Sequence, residues 1–119
     1  IRERASEQVI KDLLPVIDDL ERAGESVAME NENGPALKEG IELVLRSLVE
    51  SLGRHDLQRL EALAQPFDPK LHEAVMVVET EDHPPDTVIE EIQKGYAIAD
   101  RVIRPSRVVV AKALPKEED

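Results

Sequence analysis

The chain has 119 residues, and 26 acidic against 15 basic side chains give it a formal net charge of −11. That balance argues against proteins whose affinity rests on Lys and Arg contacts to nucleic-acid phosphates, and against binding to an anionic membrane surface. There is no cysteine, hence no disulfide framework and no thiolate chemistry, and a reducing cytoplasm is the expected compartment.

The length suits one compact domain or two small modules. Phe67 and Tyr96 are the only aromatic residues. Cores that lean on large aromatic areas are therefore excluded, and thin aliphatic layers, as in helix bundles and small sheets, are favoured. No apolar run approaches the ~20 residues that span a bilayer, and no secretory signal is seen. The sequence starts at Ile1, already inside a helical pattern, as expected of a fragment of a longer protein.

From Val9 the apolar residues fall at Val9, Leu13, Val16, Leu20, Ala23 and Val27, in alternating steps of four and three. This is a heptad seam. Upstream, Ile1, Ala5 and Val9 are spaced by four, so the stripe drifts there. A second stripe, Ile10, Leu14 and Ile17, runs beside the seam and widens it to a face suited to a bundle. Pro15 interrupts the pattern and removes one backbone bond at a cost of ~3 kcal/mol. The stripe keeps its phase across it, so a tolerated bend is expected.

Asn31-Glu32-Asn33-Gly34-Pro35 breaks the first helix, and Pro35 suits the first turn of a second. Leu37, Ile41, Val44 and Leu48 repeat the four-and-three spacing, and Gly53 is placed to end that helix. A lone hairpin would leave about ten aliphatic side chains half exposed, forfeiting on the order of 10 kcal/mol. A second copy completing a four-helix bundle removes the problem; burial by the C-terminal half is the competing solution. The dimer seam is expected at Leu13, Val16, Leu20, Leu37, Ile41, Val44 and Leu48. Gly40 costs ~1 kcal/mol within a helix relative to Ala, and marks close approach either of a bundle helix or of a partner.

After Gly53 the pattern changes to short strands. Leu57 to Leu63 can open with a strand, and Asp68-Pro69 suits one short helical turn. Val75 to Val78 reads as a strand, His83-Pro84-Pro85-Asp86 as a turn, and Thr87 to Ile92 as a weakly alternating strand. Lys94-Gly95-Tyr96 reads as a kink and Ala99-Asp100 as a tight turn. Val102-Ile103 and Val108 to Ala111 are the last strands, bent apart by Pro105. The expected organisation is α+β: a helical dimerisation segment over residues 1–55, an all-β domain forming a small sheet or half-barrel over 56–114, and an acidic tail over 115–119.

Between Lys94 and Lys112, five cations (Lys94, Arg101, Arg104, Arg107 and Lys112) face the single acid Asp100. Such a basic stretch in an acidic chain fits a docking face for an acidic partner, or else neutralisation of the protein's own acids. His72-Glu73 is the best acid–base candidate. Met76 stands where a metalloprotease motif needs its second His, and His55, His72 and His83 have no zinc spacing. There is no phosphate-binding glycine loop and no nucleophile elbow. A structural role for His72, orienting the turn at Asp68, outweighs an enzyme built on His72, Glu73 and Asp100. The residues point to an interaction protein that is not an enzyme, with no metal, cofactor or small-molecule ligand of its own.

Four segments in register resemble the GrpE family, the nucleotide exchange factors of DnaK-type chaperones. They are Leu13-Leu14-Pro15-Val16-Ile17-Asp18 with Leu20-Glu21-Arg22-Ala23; Glu39-Gly40-Ile41-Glu42-Leu43; Phe67-Asp68-Pro69 with Leu71-His72-Glu73-Ala74-Val75; and Gln93-Lys94-Gly95-Tyr96 followed by Asp100 to Pro105 and Val108 to Lys112. The resemblance implies a homodimeric co-chaperone of the stress response, with paired long helices, a four-helix bundle and two β domains. One β domain would engage the chaperone's ATPase domain and accelerate ADP release. Most of the long helix would then lie outside this sequence. Carried over motif by motif, the implied chaperone contacts are Ile92, Arg101, Val110, Arg104 and Lys94 on the β domain, and Arg22, Glu25 and Gly40 on the helices. The alternative is a dimerisation adaptor without exchange activity.

Overall fold

A computed structural model describes residues 2–30 and 32–115, with side chains from Ser6 onward. The side chains of Ile1 and Ala5, Asn31 in the interhelical break, and residues 116–119 of the acidic tail fall outside that description. The chain divides into two compact units, Ile1–Leu57 and Gln58–Asp119.

The first unit is a helical hairpin of α1 (Arg2–Glu30) and α2 (Gly34–Gly53). Helix α1 continues through Pro15 without ending. Helix α2 begins with Pro35 in its first turn, where a missing N–H costs nothing, and closes at Gly53. Gly34 makes the tight connection, since a Cβ there would lie 2.5 Å from the carbonyl oxygen of Val27 and 2.7 Å from that of Ala28.

Of the two apolar stripes on α1, the second is the one the hairpin uses. Ile10, Leu14 and Ile17 are buried, as is Leu45 of α2. The heptad seam stays largely outside: Val9, Val16, Leu37 and Val44 are 58%, 48%, 51% and 60% exposed, while Leu13, Leu20, Ile41 and Leu48 are half-buried. At about 100° per residue, the seam of α1 lies roughly 100° round the helix from Ile10, Leu14 and Ile17. On α2 it lies roughly 70° from Leu45, in the same rotational sense. Because the helices run antiparallel, rotations in the same sense bring both seams to the same side of the hairpin.

The second unit holds two three-stranded sheets. One is formed by β1 (Leu57–Arg59), β4 (Tyr96–Ile98) and β5 (Arg101–Arg104), in the order β1-β4-β5. The other is formed by β2 (His72–Glu79), β3 (Val88–Gln93) and β6 (Ser106–Lys112), in the order β2-β6-β3. The outcome is neither one sheet nor a half-barrel. Strand β6 is central, parallel to β2 from His72↔Ser106 to Glu79↔Lys112 and antiparallel to β3 from Val88↔Val110 to Gln93↔Arg107. Its run Val108 to Ala111 is wholly buried, as expected of a central strand covered on both faces. Val108 and Val110 pack with Ala62 and Val88 in a small core that Phe67 partly covers.

Strand β2 is longer than Val75 to Val78 and carries an irregularity between Ala74 and Met76. The segment after Asp68 makes a turn rather than a helix. The Asp68 carbonyl accepts from the amides of Leu71 and His72, at 2.9 and 2.8 Å, and its carboxylate accepts from that of Lys70 at 2.9 Å. Ala99, in the tight turn between β4 and β5, has a φ of 54°, an uncommon conformation for a residue with a Cβ.

Candidate interaction site

On the β unit, the residues expected to meet a partner differ in exposure. Ile92 on β3 and Arg101 on β5 are exposed. They lie in different sheets, so neither strand ladder alone sets the distance between them. Val110 is only 5% exposed and belongs to the apolar core. Its side chain therefore offers a partner little area and mainly supports the strand that carries it.

Lys94 and Arg104 are engaged within the unit. Lys94 Nζ lies 3.0 Å from Glu91 Oε1, and that carboxylate is almost fully buried. The other oxygen of Glu91 accepts no protein hydrogen bond among the described residues. Such a pair gains little net stability, because desolvation opposes the attraction, and its value lies in fixing geometry. Arg104 donates from Nε and Nη2 to the Lys94 carbonyl, at 3.0 and 2.5 Å. Its guanidinium also sits 5.4 Å from the centre of the Tyr96 ring.

Tyr96 is completely buried. Arg59 lies over the same ring at 5.6 Å, and its Nη2 donates to the Tyr96 hydroxyl at 2.9 Å. Two guanidinium groups on one buried ring tie together β1, β4 and β5, each contact favourable through the ring quadrupole. Nothing in the sequence joined Arg59 to Tyr96. The only signal was that Tyr96 is the lone tyrosine of an aromatic-poor chain.

The rest of the basic stretch is divided. Arg107 approaches Glu73 of β2 at 3.9 Å, while Lys112 stands exposed in register with Glu79. Own-acid neutralisation thus accounts for Lys94 and in part for Arg107. His72 is buried and structural: its Nδ1 accepts the Asp68 amide at 2.9 Å, and its ring stacks on Phe67 with centroids 5.8 Å apart. It holds the turn that the sequence suggested it would orient.

On the helical unit, Arg22 is exposed and pairs with Asp19 one turn earlier. Glu25 receives Lys38 Nζ of α2 at 2.9 Å, which links the two helices, and Glu42 stands 3.9 Å from the same ammonium. The hydrogen bond and charge of Glu25 raise the Lys38 pKa above its ordinary value; desolvation opposes them, and Glu42 adds the least. Gly40 is exposed, and a Cβ added there would meet nothing within 4 Å. Packing inside the hairpin therefore does not explain it. Among the described residues no group of three or more His, Asp or Glu could hold a metal, and no helix is long and apolar enough to cross a membrane.

Comparison with known proteins agrees with these motifs over most of the chain. The chain is 45% identical over 107 residues to protein GrpE of Geobacillus kaustophilus (strain HTA426), covering 90% of this chain and 50% of that protein. It is 48% identical over 105 residues to protein GrpE of Bacillus subtilis (strain 168), covering 88% and 56%. Against protein GrpE of Desulfatibacillum aliphaticivorans it is 44% identical over 110 residues, covering 91% and 53%. The chain thus spans about half the length of the curated relatives it matches. The GrpE family model matches residues 1–112, and the chain belongs to the GrpE family.

Proposed function

We propose that the protein is a nucleotide exchange factor: it binds the ATPase domain of a DnaK-type chaperone and accelerates ADP release. Family membership carries this reading, and the exposed Ile92 and Arg101 of the β unit are where the contact is proposed. The factor stabilises an open nucleotide cleft and makes or breaks no covalent bond. If it weakens ADP binding by some factor, ADP weakens its own binding equally, so the two sites are linked by one coupling free energy. ATP, favouring the closed cleft, then displaces it.

Arg101 acts by a charge-assisted hydrogen bond to an acidic chaperone side chain, an interaction typically contributing ~1.5–3 kcal/mol. Gly40, Arg22 and Glu25 contribute a second edge of contact from the helices, and Lys94 and Val110 support the β-unit face from within. The working form is a homodimer in which two hairpins meet through Leu13, Val16, Leu20, Leu37, Ile41, Val44 and Leu48. The common side on which both exposed seams emerge supports this arrangement, since it gives one continuous apolar face.

The test is release of a fluorescent ADP analogue from a chaperone–ADP complex. The protein should speed it, and Arg101→Ala should lose most of that effect while remaining dimeric. A dimer that leaves the release rate unchanged would establish the adaptor reading instead. Unchanged stimulation by Arg101→Ala would remove that residue from the contact.

A further inference from the structure

The chain passes from β3 in one sheet to β4 in the other through two residues, Lys94 and Gly95. That crossing is tied on every side. The Leu60 amide donates to the Gly95 carbonyl at 2.9 Å, and the Gly95 amide donates to Ser106 Oγ at 3.1 Å. A Cβ at position 95 would lie 2.4 Å from the Ser106 nitrogen and 2.5 Å from its Oγ, so only glycine lets the chain approach β6 this closely. The Lys94 carbonyl takes two donors from Arg104, and the Lys94 ammonium is held by Glu91.

Ile92 lies two residues before this crossing, and Arg101 lies on β5, the strand that pairs with β4 just after it. Hydrogen bonds within a sheet fix neighbours within that sheet. The separation of Ile92 from Arg101 is instead set where the chain crosses between sheets, at Lys94–Gly95 and again at Pro105, the residue that follows Arg104. Arg104 is the side chain that closes the crossing, with two donors on its carbonyl and its plane on the Tyr96 ring. A guanidinium committed on both counts is poorly disposed to reach outward as well.

We infer that Arg104 is a positioning residue for partner binding: it buckles the Lys94–Gly95 crossing and so holds Ile92 and Arg101 at the spacing a partner reads. This rests on the functional reading above and assigns Arg104 a role other than direct contact. A rigid crossing keeps the two-point surface preorganised, and loosening it should weaken binding by about ten-fold.

The probe is the nucleotide-free ATPase domain of a DnaK-type chaperone, titrated calorimetrically with the 119-residue protein, alongside amide hydrogen exchange measured by NMR. Arg104→Lys keeps the charge but loses the two-donor fork, and Arg104→Met removes both. Both variants should bind about ten-fold more weakly, and both should exchange the Leu60 and Gly95 amides faster than wild type. Arg101→Ala should bind more weakly with exchange at those amides unchanged. Wild-type affinity in Arg104→Lys together with loss in Arg104→Met would make Arg104 a direct charge contact and overturn the inference. So would weakened binding with both amides still protected, or faster exchange with undiminished affinity. Failure of the functional reading is seen separately and earlier, as no binding by the wild-type protein, and it would overturn the positioning role as well.

Discussion

Val44 offers the sharpest test of the proposed dimer. Fully burying a valine side chain is worth ~1.5–3 kcal/mol, and Val44 is 60% exposed in the isolated chain. A second copy therefore recovers ~1–2 kcal/mol at this position in each protomer. Two-fold symmetry places Val44 in the interface twice, so truncation costs a dimer ~2–4 kcal/mol. Val44→Glu adds the cost of burying two unpaired carboxylates, several kcal/mol each. The sum exceeds ~6 kcal/mol, which raises the dimer dissociation constant by more than about 10⁴-fold.

Sedimentation equilibrium across micromolar concentrations measures this directly. Leu43→Glu is the matched control. Leu43 is 55% exposed, yet it lies roughly 130° round α2 from the seam, outside the proposed interface. Wild type and Leu43→Glu should sediment as dimers and Val44→Glu as a monomer. A dimeric Val44→Glu, or equal loss in the two variants, would refute the assignment of the seam.

Gly95→Ala should destabilise the β unit by ~2–4 kcal/mol, combining overpacking against backbone atoms with a strained or lost buried hydrogen bond. Urea unfolding followed by fluorescence of the single tyrosine, Tyr96, reads that unit specifically; a loss below ~1 kcal/mol would show that the crossing can yield. Gly40→Ala should instead stabilise the helical unit by up to ~1 kcal/mol, because nothing stands in the way of a methyl group. If Gly40 admits a partner's backbone, the same variant binds the ATPase domain more weakly, and undiminished affinity would remove Gly40 from the contact. Lys38 provides a pH signature. Its pKa is raised on folding, so its stabilising effect is complete below the ordinary lysine value and fades as pH rises through the raised one. The melting temperatures of wild type and Lys38→Met should thus differ by a constant amount at neutral pH and converge only in strong alkali; convergence near neutrality would contradict the Glu25 pairing.

The helical half was legible because its signals are local. Four-and-three spacing, a proline in the first turn of α2 and a glycine at its end locate both helices without tertiary information. The division of labour between stripes was not legible. Val9–Val16 and Ile10–Ile17 are equally apolar, and only the position of α2 decides which pair is buried. In the β half, turns and strands followed from Pro, Gly and β-branched runs, whereas sheet membership did not. Neighbours in sequence such as β5 and β6 fall in different sheets, while β2 finds its partner far along the chain.

The candidate site divides along the same line. Arg101 and Ile92 occupy exposed strand positions, whereas Arg104 and Lys94, from the same basic stretch, are half-buried and bound to Tyr96, the Lys94 carbonyl and Glu91. Sequence charge could not separate them, because it does not show that the Glu91 carboxylate beside Lys94 is buried or that β4 and β5 pair so as to set Tyr96 opposite Arg104. Val110 was ambiguous for a related reason: a central strand buries both faces, so alternation no longer marks which side chain points out.

The central place of β6 has a consequence for how the protein is made. The helical hairpin possesses all of its residues once Gly53 has been synthesised. The sheet β2-β6-β3 has no middle strand until Ser106 to Lys112 emerge, the last strand among the described residues. Strands β2 and β3 share no ladder with each other, so β2 presents an unpaired edge carrying Val75 to Val78 throughout that interval. Synthesis therefore presents a finished hairpin ahead of an unfinished sheet, and a break anywhere before β6 leaves two strands with nothing between them.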